Sequence, residues 1–148
     1  MGWVILFICS VLVCLTVTSF KKWNQYWYAG LITMVMIYAI DSTLITLGAF
    51  SYRYPNQLIG QLPTLYWLSS FFGGIILVNF YPQKKLLQFP YVLLSSLIFL
   101  LLELVMYFFG YIFYDNWSPV KSYFLDIFGL IIVIWLWNWM NESKIKTI

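Results

Sequence analysis

The chain has 148 residues, of which 63% are apolar, 22% aromatic and 9% charged, with a net charge of +3 and a mean hydropathy of +0.86. Soluble domains carry about 25% charged residues, so these proportions exclude a soluble enzyme, a nucleic-acid-binding domain and a disordered chain. The solvent this sequence expects is lipid.

A helix needs about 20 mostly apolar residues to cross roughly 30 Å of hydrocarbon, and five runs answer that description. The first is 2–20, ended by Lys21-Lys22-Trp23-Asn24-Gln25. Its positive charges follow the apolar run and no small-x-small cleavage site is present, so it reads as an anchor and not as a cleaved signal peptide. Ser10, Cys14 and Thr18 recur every four residues along it. Its two cysteines, Cys9 and Cys14, point to different sides of a helix and read as small packing residues. The second run, 26–50, is interrupted only by Asp41 and carries Gly30, Ile37, Asp41 and Gly48 along one face. A polar loop follows from Ser51 to Pro63. The third run, 64–81, holds Ser69-x-x-x-Gly73 and Ser70-x-x-x-Gly74, the small-residue spacing that lets helices approach closely in lipid. Pro82-Gln83-Lys84-Lys85 ends it. The fourth, 89–110, has Pro90 near its start, where proline is tolerated, and sets Ser96, Glu103, Tyr107 and Gly110 on one face. A loop from Tyr111 to Pro119 leads to the fifth run, 120–140, with Ser122, Asp126 and Gly129, and then to a polar tail. No internal repeat is visible, and the longest loop, about a dozen residues, is too short for a separate folded domain.

These runs predict an all-α fold, a polytopic transmembrane bundle of five spans forming one domain. Cytoplasmic loops are enriched in Lys and Arg. With the N-terminus outside and the C-terminus inside, the inner segments carry Lys21, Lys22, Lys84, Lys85, Lys144 and Lys146, and the outer ones only Arg53 and Lys121. Trp23, Trp27, Tyr81 and Trp137 at inner borders, with Trp117 at an outer one, read as interfacial anchors. The aromatic cluster from Tyr111 to Trp117 also offers a docking surface.

Asp41, Glu103 and Asp126 are the sharpest chemical feature. At 1.5 Å per residue they lie about 13, 10 and 9 Å from the outer ends of their runs, and no Lys or Arg lies within any run apart from Lys121 at the outer edge of the fifth. Keeping an acid charged in a span costs ~2.5–3.5 kcal/mol on insertion scales. Protonating an Asp at pH 7 costs about 4 kcal/mol, from ~3 pK units. The two states are close enough that local contacts decide between them. Three converging acids would titrate as a unit and bind protons or a small cation. Each acid also has a purely structural reading. Asp126 favours its helix N-terminus or reaches Lys121, Asp41 hydrogen-bonds as a neutral acid, and Glu103 meets Tyr107 or a serine. The chain has no histidine, which removes the commonest general base and zinc ligand. No cofactor is implied.

The order of these features resembles a family of small five-span membrane proteins of endospore-forming Gram-positive bacteria, of uncharacterised function. The matching residues are Lys22-Trp23 with Tyr26, Asp41, Leu62-Pro63, Tyr81-Pro82, Glu103, Gly110, Tyr114, Asn116-Trp117 and Ser122. The resemblance covers nearly the whole chain and implies a bacterial cytoplasmic membrane and a five-span fold. Members often carry histidines in the outer loop and near the end of the last span. This chain has none, so no histidine-dependent role carries over.

Three functions are weighed. The first is a proton or small-cation binding, transport or sensing component built on Asp41, Glu103 and Asp126. The second is a non-catalytic scaffold or accessory subunit, whose small-residue faces bind another membrane protein or a second copy. The third, an intramembrane enzyme, ranks last, because no D-x-x-D pair or Ser-Lys dyad lies within the spans.

Overall fold

The computed structural model describes residues 1–55 and 57–145, with side chains described through Asn141. The expected inner charge Lys146 and the side chain of Lys144 lie outside the described residues. In chain order the elements are α1 (Gly2–Val17), α2 (Phe20–Thr46), β1 (Phe50–Tyr52), β2 (Leu58–Ile59), β3 (Leu62–Pro63), α3 (Thr64–Asn79), α4 (Lys85–Phe108), β4 (Ile112–Tyr114) and α5 (Pro119–Ile145). The described residues are thus mostly helical, with five helices among them. Three of them, α2, α4 and α5, are long and apolar enough to cross a membrane. The other two have 16 residues each, about 24 Å at 1.5 Å per residue.

The fold departs from an all-α expectation in its loops. β1 pairs antiparallel with β4, and β2 with β3, in two small ladders. Short strands between polar turn residues carry too little periodicity to be told from loop. Helix boundaries also move. α2 starts at Phe20, so Lys21 and Lys22 sit on its first turn with exposed side chains. Long cationic side chains reach outward and do not stop a helix. α4 starts at Lys85 and runs through Pro90. The proline lies near the helix start, where its missing N–H removes one hydrogen bond.

Both α2 and α4 lead into the β1–β4 ladder, so they run in the same direction. α1 starts at that same end: Gly2 N donates to the Tyr111 hydroxyl at 2.8 Å, and Trp3 Nε1 to the Arg53 carbonyl at 3.1 Å. At the opposite end Asn79 Nδ2 donates to the Val17 carbonyl at 3.2 Å, joining the ends of α3 and α1. The helices therefore alternate in direction. Charge is segregated along this axis. Lys21, Lys22, Lys84 and Lys85 begin α2 and α4 at one end, while Arg53 and Lys121 lie at the ladder end, over the rings of Phe113 and Trp117.

The interior holds three apolar clusters, centred on Cys14, Ala29 and Ile75, on Leu77, Val92 and Val133, and on Trp3, Met106 and Ile112. α2 and α3 approach each other closely at two glycines. A Cβ on Gly74 would stand 2.6 Å from the Ala29 carbonyl, and one on Gly30 would meet the ring and carbonyl of Phe71 at 2.6–2.8 Å. The outside of the bundle is apolar as well: Val35, Leu94, Leu101, Phe108, Phe128 and Trp135 are exposed. Such a surface marks contact with membrane or partner.

Candidate functional site

The site grows out of the way α2 and α4 end. Gly48 and Gly110 adopt φ of 71° and 73°, the left-handed conformation that glycine takes without strain. At the end of α2, Gly48 N bonds to the Ile45 carbonyl at 3.0 Å and Ala49 N to the Leu44 carbonyl at 3.0 Å. At the end of α4, Gly110 N bonds to Tyr107 and Tyr111 N to Met106, both at 2.9 Å. These are two Schellman closures. Each turns the chain off its helix and into a strand.

Counting outward from the glycines exposes a repeat. Asp41 precedes Gly48 as Glu103 precedes Gly110, by seven residues, and Tyr52 and Tyr114 follow them by four. Thus acid-x6-Gly-x3-Tyr occurs twice, against the expectation of no internal repeat. The strands obey the same relation, since Phe50 faces Tyr114 and Tyr52 faces Ile112 about the central pair Ser51–Phe113. Flanking bonds follow suit: Arg53 N donates to Tyr111 O at 2.8 Å, and Asp115 N to Ala49 O at 3.0 Å. β1 and β4, with their flanking backbone bonds, are related by a local pseudo-twofold axis, and the helix ends that feed them share the same closure.

Each strand delivers a phenol to the acid of its own helix. Tyr52 Oη donates to Asp41 Oδ2 at 2.6 Å, and Tyr114 Oη to Glu103 Oε1 at 2.6 Å. The second partners differ. Asp41 Oδ2 also accepts from Tyr66 Oη of α3 at 3.0 Å, whereas Glu103 Oε1 accepts from Ser122 Oγ of α5 at 2.8 Å. Trp117 Nε1 donates to that same Ser122 Oγ at 2.9 Å. Burial, then the neighbouring Asp41 carboxylate, pushes the Tyr52 phenol well above its ordinary value. Burial, then the hydrogen bond to Glu103, does the same for Tyr114. Both stay protonated and both donate.

Asp41 is buried, 8% exposed. With α2 ending at Thr46 and α4 at Phe108, Asp41 and Glu103 each lie five residues from their helix ends, about 7.5 Å, shallower than the apolar runs alone suggest. Asp126 lies seven residues into α5. Its Oδ2 is buried and has no hydrogen-bond partner among the described residues, and the same holds for the Oγ of Ser42 beside Asp41 in sequence. Electrostatically the three acids are neighbours, since the charge of Glu103 acts on Asp41 and both act on Asp126. Among the described residues, no group of three or more Asp, Glu or Cys side chains could hold a metal ion.

Several expected roles change. Lys121 does not meet Asp126; its Nζ donates to the Asn116 carbonyl at 3.4 Å. Glu103 bonds Tyr114, and Tyr107 instead stacks on the Tyr114 ring at 4.9 Å. Trp137 is not an interfacial anchor: it is 8% exposed, inside the core, with its ring edge-on to Tyr26 at 5.9 Å. Odd-numbered tryptophans of α5 fall on different helix faces, leaving Trp135 and Trp139 exposed. Trp23 packs partly on the core and Trp27 is exposed, while Tyr81 is half-buried. Trp117 belongs to the Glu103 network. Of the small residues, Gly74 makes the close helix contact, but a Cβ on Gly73 would have only the Phe99 ring nearby, at 3.8 Å. Ser69 and Ser70 are buried and return their hydroxyls to Tyr66 and Trp67 of their own helix. Ser10 bonds Phe7 O, Cys14 is fully buried, and Thr18 is buried just beyond α1. Cys9 is exposed and both cysteines are free.

Tyr52, Tyr66 and Tyr114 enter the site as carboxylate partners, a role that aromatic composition near the helix ends conceals. The recoverable signal is the eleven-residue spacing from acid to tyrosine, repeated once. No protein family, curated protein or solved structure matches the chain.

Proposed function

We propose that the chain is a five-span integral membrane protein with its N-terminus outside and C-terminus inside, and that the Asp41–Glu103 site binds protons as part of a proton-sensing or proton-transporting component. Membership of the five-span family of endospore-forming bacteria, and with it a bacterial cytoplasmic membrane, is part of this proposal. The alternating helix directions and the lysines gathered at one end support the topology.

One observation carries the functional reading. Two acids in the apolar helices each accept a 2.6 Å bond from a phenol that stays protonated. A cation site offers several oxygen lone pairs to the ion. Here the hydroxyls aim hydrogens at the carboxylates instead, so the species this site exchanges is the proton. Losing or gaining it changes how many donors each acid accepts, and so how firmly the β1–β4 ladder is held to α2 and α4.

The test is proton flux into vesicles carrying wild type, Asp41→Asn or Glu103→Gln, after each is shown to fold. Flux that both substitutions abolish supports transport at this site. An inert wild type overturns transport. Sensing is then tested by the pH dependence of cross-linking between β1 and α2, which the substitutions must flatten. If they leave it unchanged, the proton-binding reading fails and an accessory subunit takes its place.

A further inference from the structure

At the end opposite the ladder, α4 and α5 part to leave a groove of about 300 Å³. Its walls are two helix faces. On α4, Gln88 and Val92 line it, with Lys85 one turn before Gln88 on the same face. On α5, Ile131, Trp135 and Asn138 line it at spacings of four and three, and Tyr81 adds a ring between them. The chemistry is graded along both walls. Val92 and Ile131 make the part nearer the bundle centre apolar, Gln88 and Asn138 put amides further along, and the exposed Lys84 and Lys85 precede Gln88 by about one turn at the start of α4.

We propose that this groove holds one acyl chain of an anionic phospholipid, with its phosphate at Lys84 and Lys85. This inference rests on the membrane reading above but not on the carboxylate site. The volume takes ~10 methylene-sized groups at the roughly 30 Å³ that a water also takes. The seven residues from Lys85 to Val92 give a depth of about 10 Å, which suits a chain of that size. The order of groups matches the ligand from tail to head: hydrocarbon against Val92 and Ile131, ester oxygens at the two amides, phosphate at the lysines. Charge complementarity selects the headgroup. Each lysine near a membrane surface favours an anionic lipid about fivefold, so the pair gives a preference of roughly twenty-five-fold over a zwitterionic one.

Trp135 is 62% exposed on the rim and reports occupancy. The full chain is reconstituted in phosphatidylcholine vesicles containing a small fraction of either phosphatidylglycerol or phosphatidylcholine with brominated acyl chains. The emission lost on Trp135→Phe isolates this residue from the other tryptophans. Expected is quenching at a far lower fraction of brominated phosphatidylglycerol. Lys84→Gln with Lys85→Gln removes that preference, and Ile131→Phe, at a partly exposed position that accepts the larger ring, weakens quenching by both lipids. Equal quenching in wild type, or a preference that survives the double lysine substitution, overturns the proposal. Insensitivity to both lipids, with cross-links from Trp135 to a second copy or another protein, overturns it in favour of a protein occupant. A chain that does not float with the vesicles overturns the membrane reading itself.

Discussion

Ser51 of β1 lies opposite Phe113 of β4, and a half-turn about that pair carries Phe50–Tyr114 onto Ile112–Tyr52. In sequence the correspondence extends beyond the strands to Gly48 and Gly110 and to the acids seven residues before them. A side chain altered in one unit thus has a natural control at its counterpart in the other.

The phenol–carboxylate bonds are the first place to use that control. Tyr52→Phe and Tyr114→Phe each remove one donor from an acid that keeps another, Tyr66 or Ser122. Hydrogen bonds to charged groups contribute ~1.5–3 kcal/mol, so each substitution is expected to lower unfolding stability by about that amount. In a double-mutant cycle, Tyr52→Phe in an Asp41→Asn background costs clearly less than in wild type. Equal costs in the two backgrounds would show that the phenol stabilises by packing alone.

The helix-closing glycines make a second pair. Beyond the adjoining residues, no heavy atom of the described residues lies within 4 Å of a Cβ at Gly48 or Gly110, so alanine there meets strain and no clash. Left-handed backbone costs an L-residue roughly 1–2 kcal/mol. Gly48→Ala and Gly110→Ala are therefore expected to lower the melting temperature by similar amounts, and asparagine at either position by less. A neutral alanine at either position contradicts the closure geometry.

Adjacent glycines on α3 separate by contrast. Gly74→Ala drives a methyl group into Thr33 and the Ala29 carbonyl, forcing α2 and α3 apart. The expected loss is at least the ~1–3 kcal/mol of overpacking. Gly73→Ala meets only the Phe99 ring at ordinary contact distance, and the gain in helix propensity makes it neutral or stabilising. Thermal unfolding of the two variants side by side gives the answer.

The raised phenols set an alkaline limit. Because Tyr52 and Tyr114 hold their protons more tightly when folded, their contribution is fully present below the unfolded value near 10. It is lost as pH rises from there through the folded values. Stability is expected to fall above pH 10, with Tyr52 and Tyr114 among the tyrosines absent from the spectrophotometric tyrosinate titration until the chain unfolds. Replacing both by phenylalanine should flatten the fall. A titration in which every tyrosine ionises near 10 while the fold persists rules this out.

The helices were legible because apolar runs of this length have one common outcome in a chain with so few charges. Their ends were less so. Span 26–50 shifted to Phe20–Thr46 because lysines do not end a helix and a left-handed glycine does. The acids were visible as acids, being rare in such runs, but their partners were hidden. Tyr52 and Tyr114 look like any other tyrosine near a helix end, and Tyr66 meets Asp41 only through the packing of α3 on α2. The repeat escaped because it rests on a few positions separated by variable apolar residues, with Asp in one copy and Glu in the other. Trp137 was misplaced for a different reason: composition marks a tryptophan near a helix end but not the face it occupies.

Helix length has a consequence of its own in a bilayer. The two 16-residue helices, α1 and α3, pack against each other, while α2, α4 and α5 have 24 to 27 residues. At 1.5 Å per residue the helices are about 24 Å long on the α1–α3 side and about 36–40 Å elsewhere. Lipid around such a wedge thins on one flank and thickens on the other, or the body leans, at a cost of fractions of a kcal/mol per Å of mismatch. Other short-helix proteins would relieve that strain by gathering beside α1, so the flank a neighbour prefers is set by thickness before any side chain is recognised.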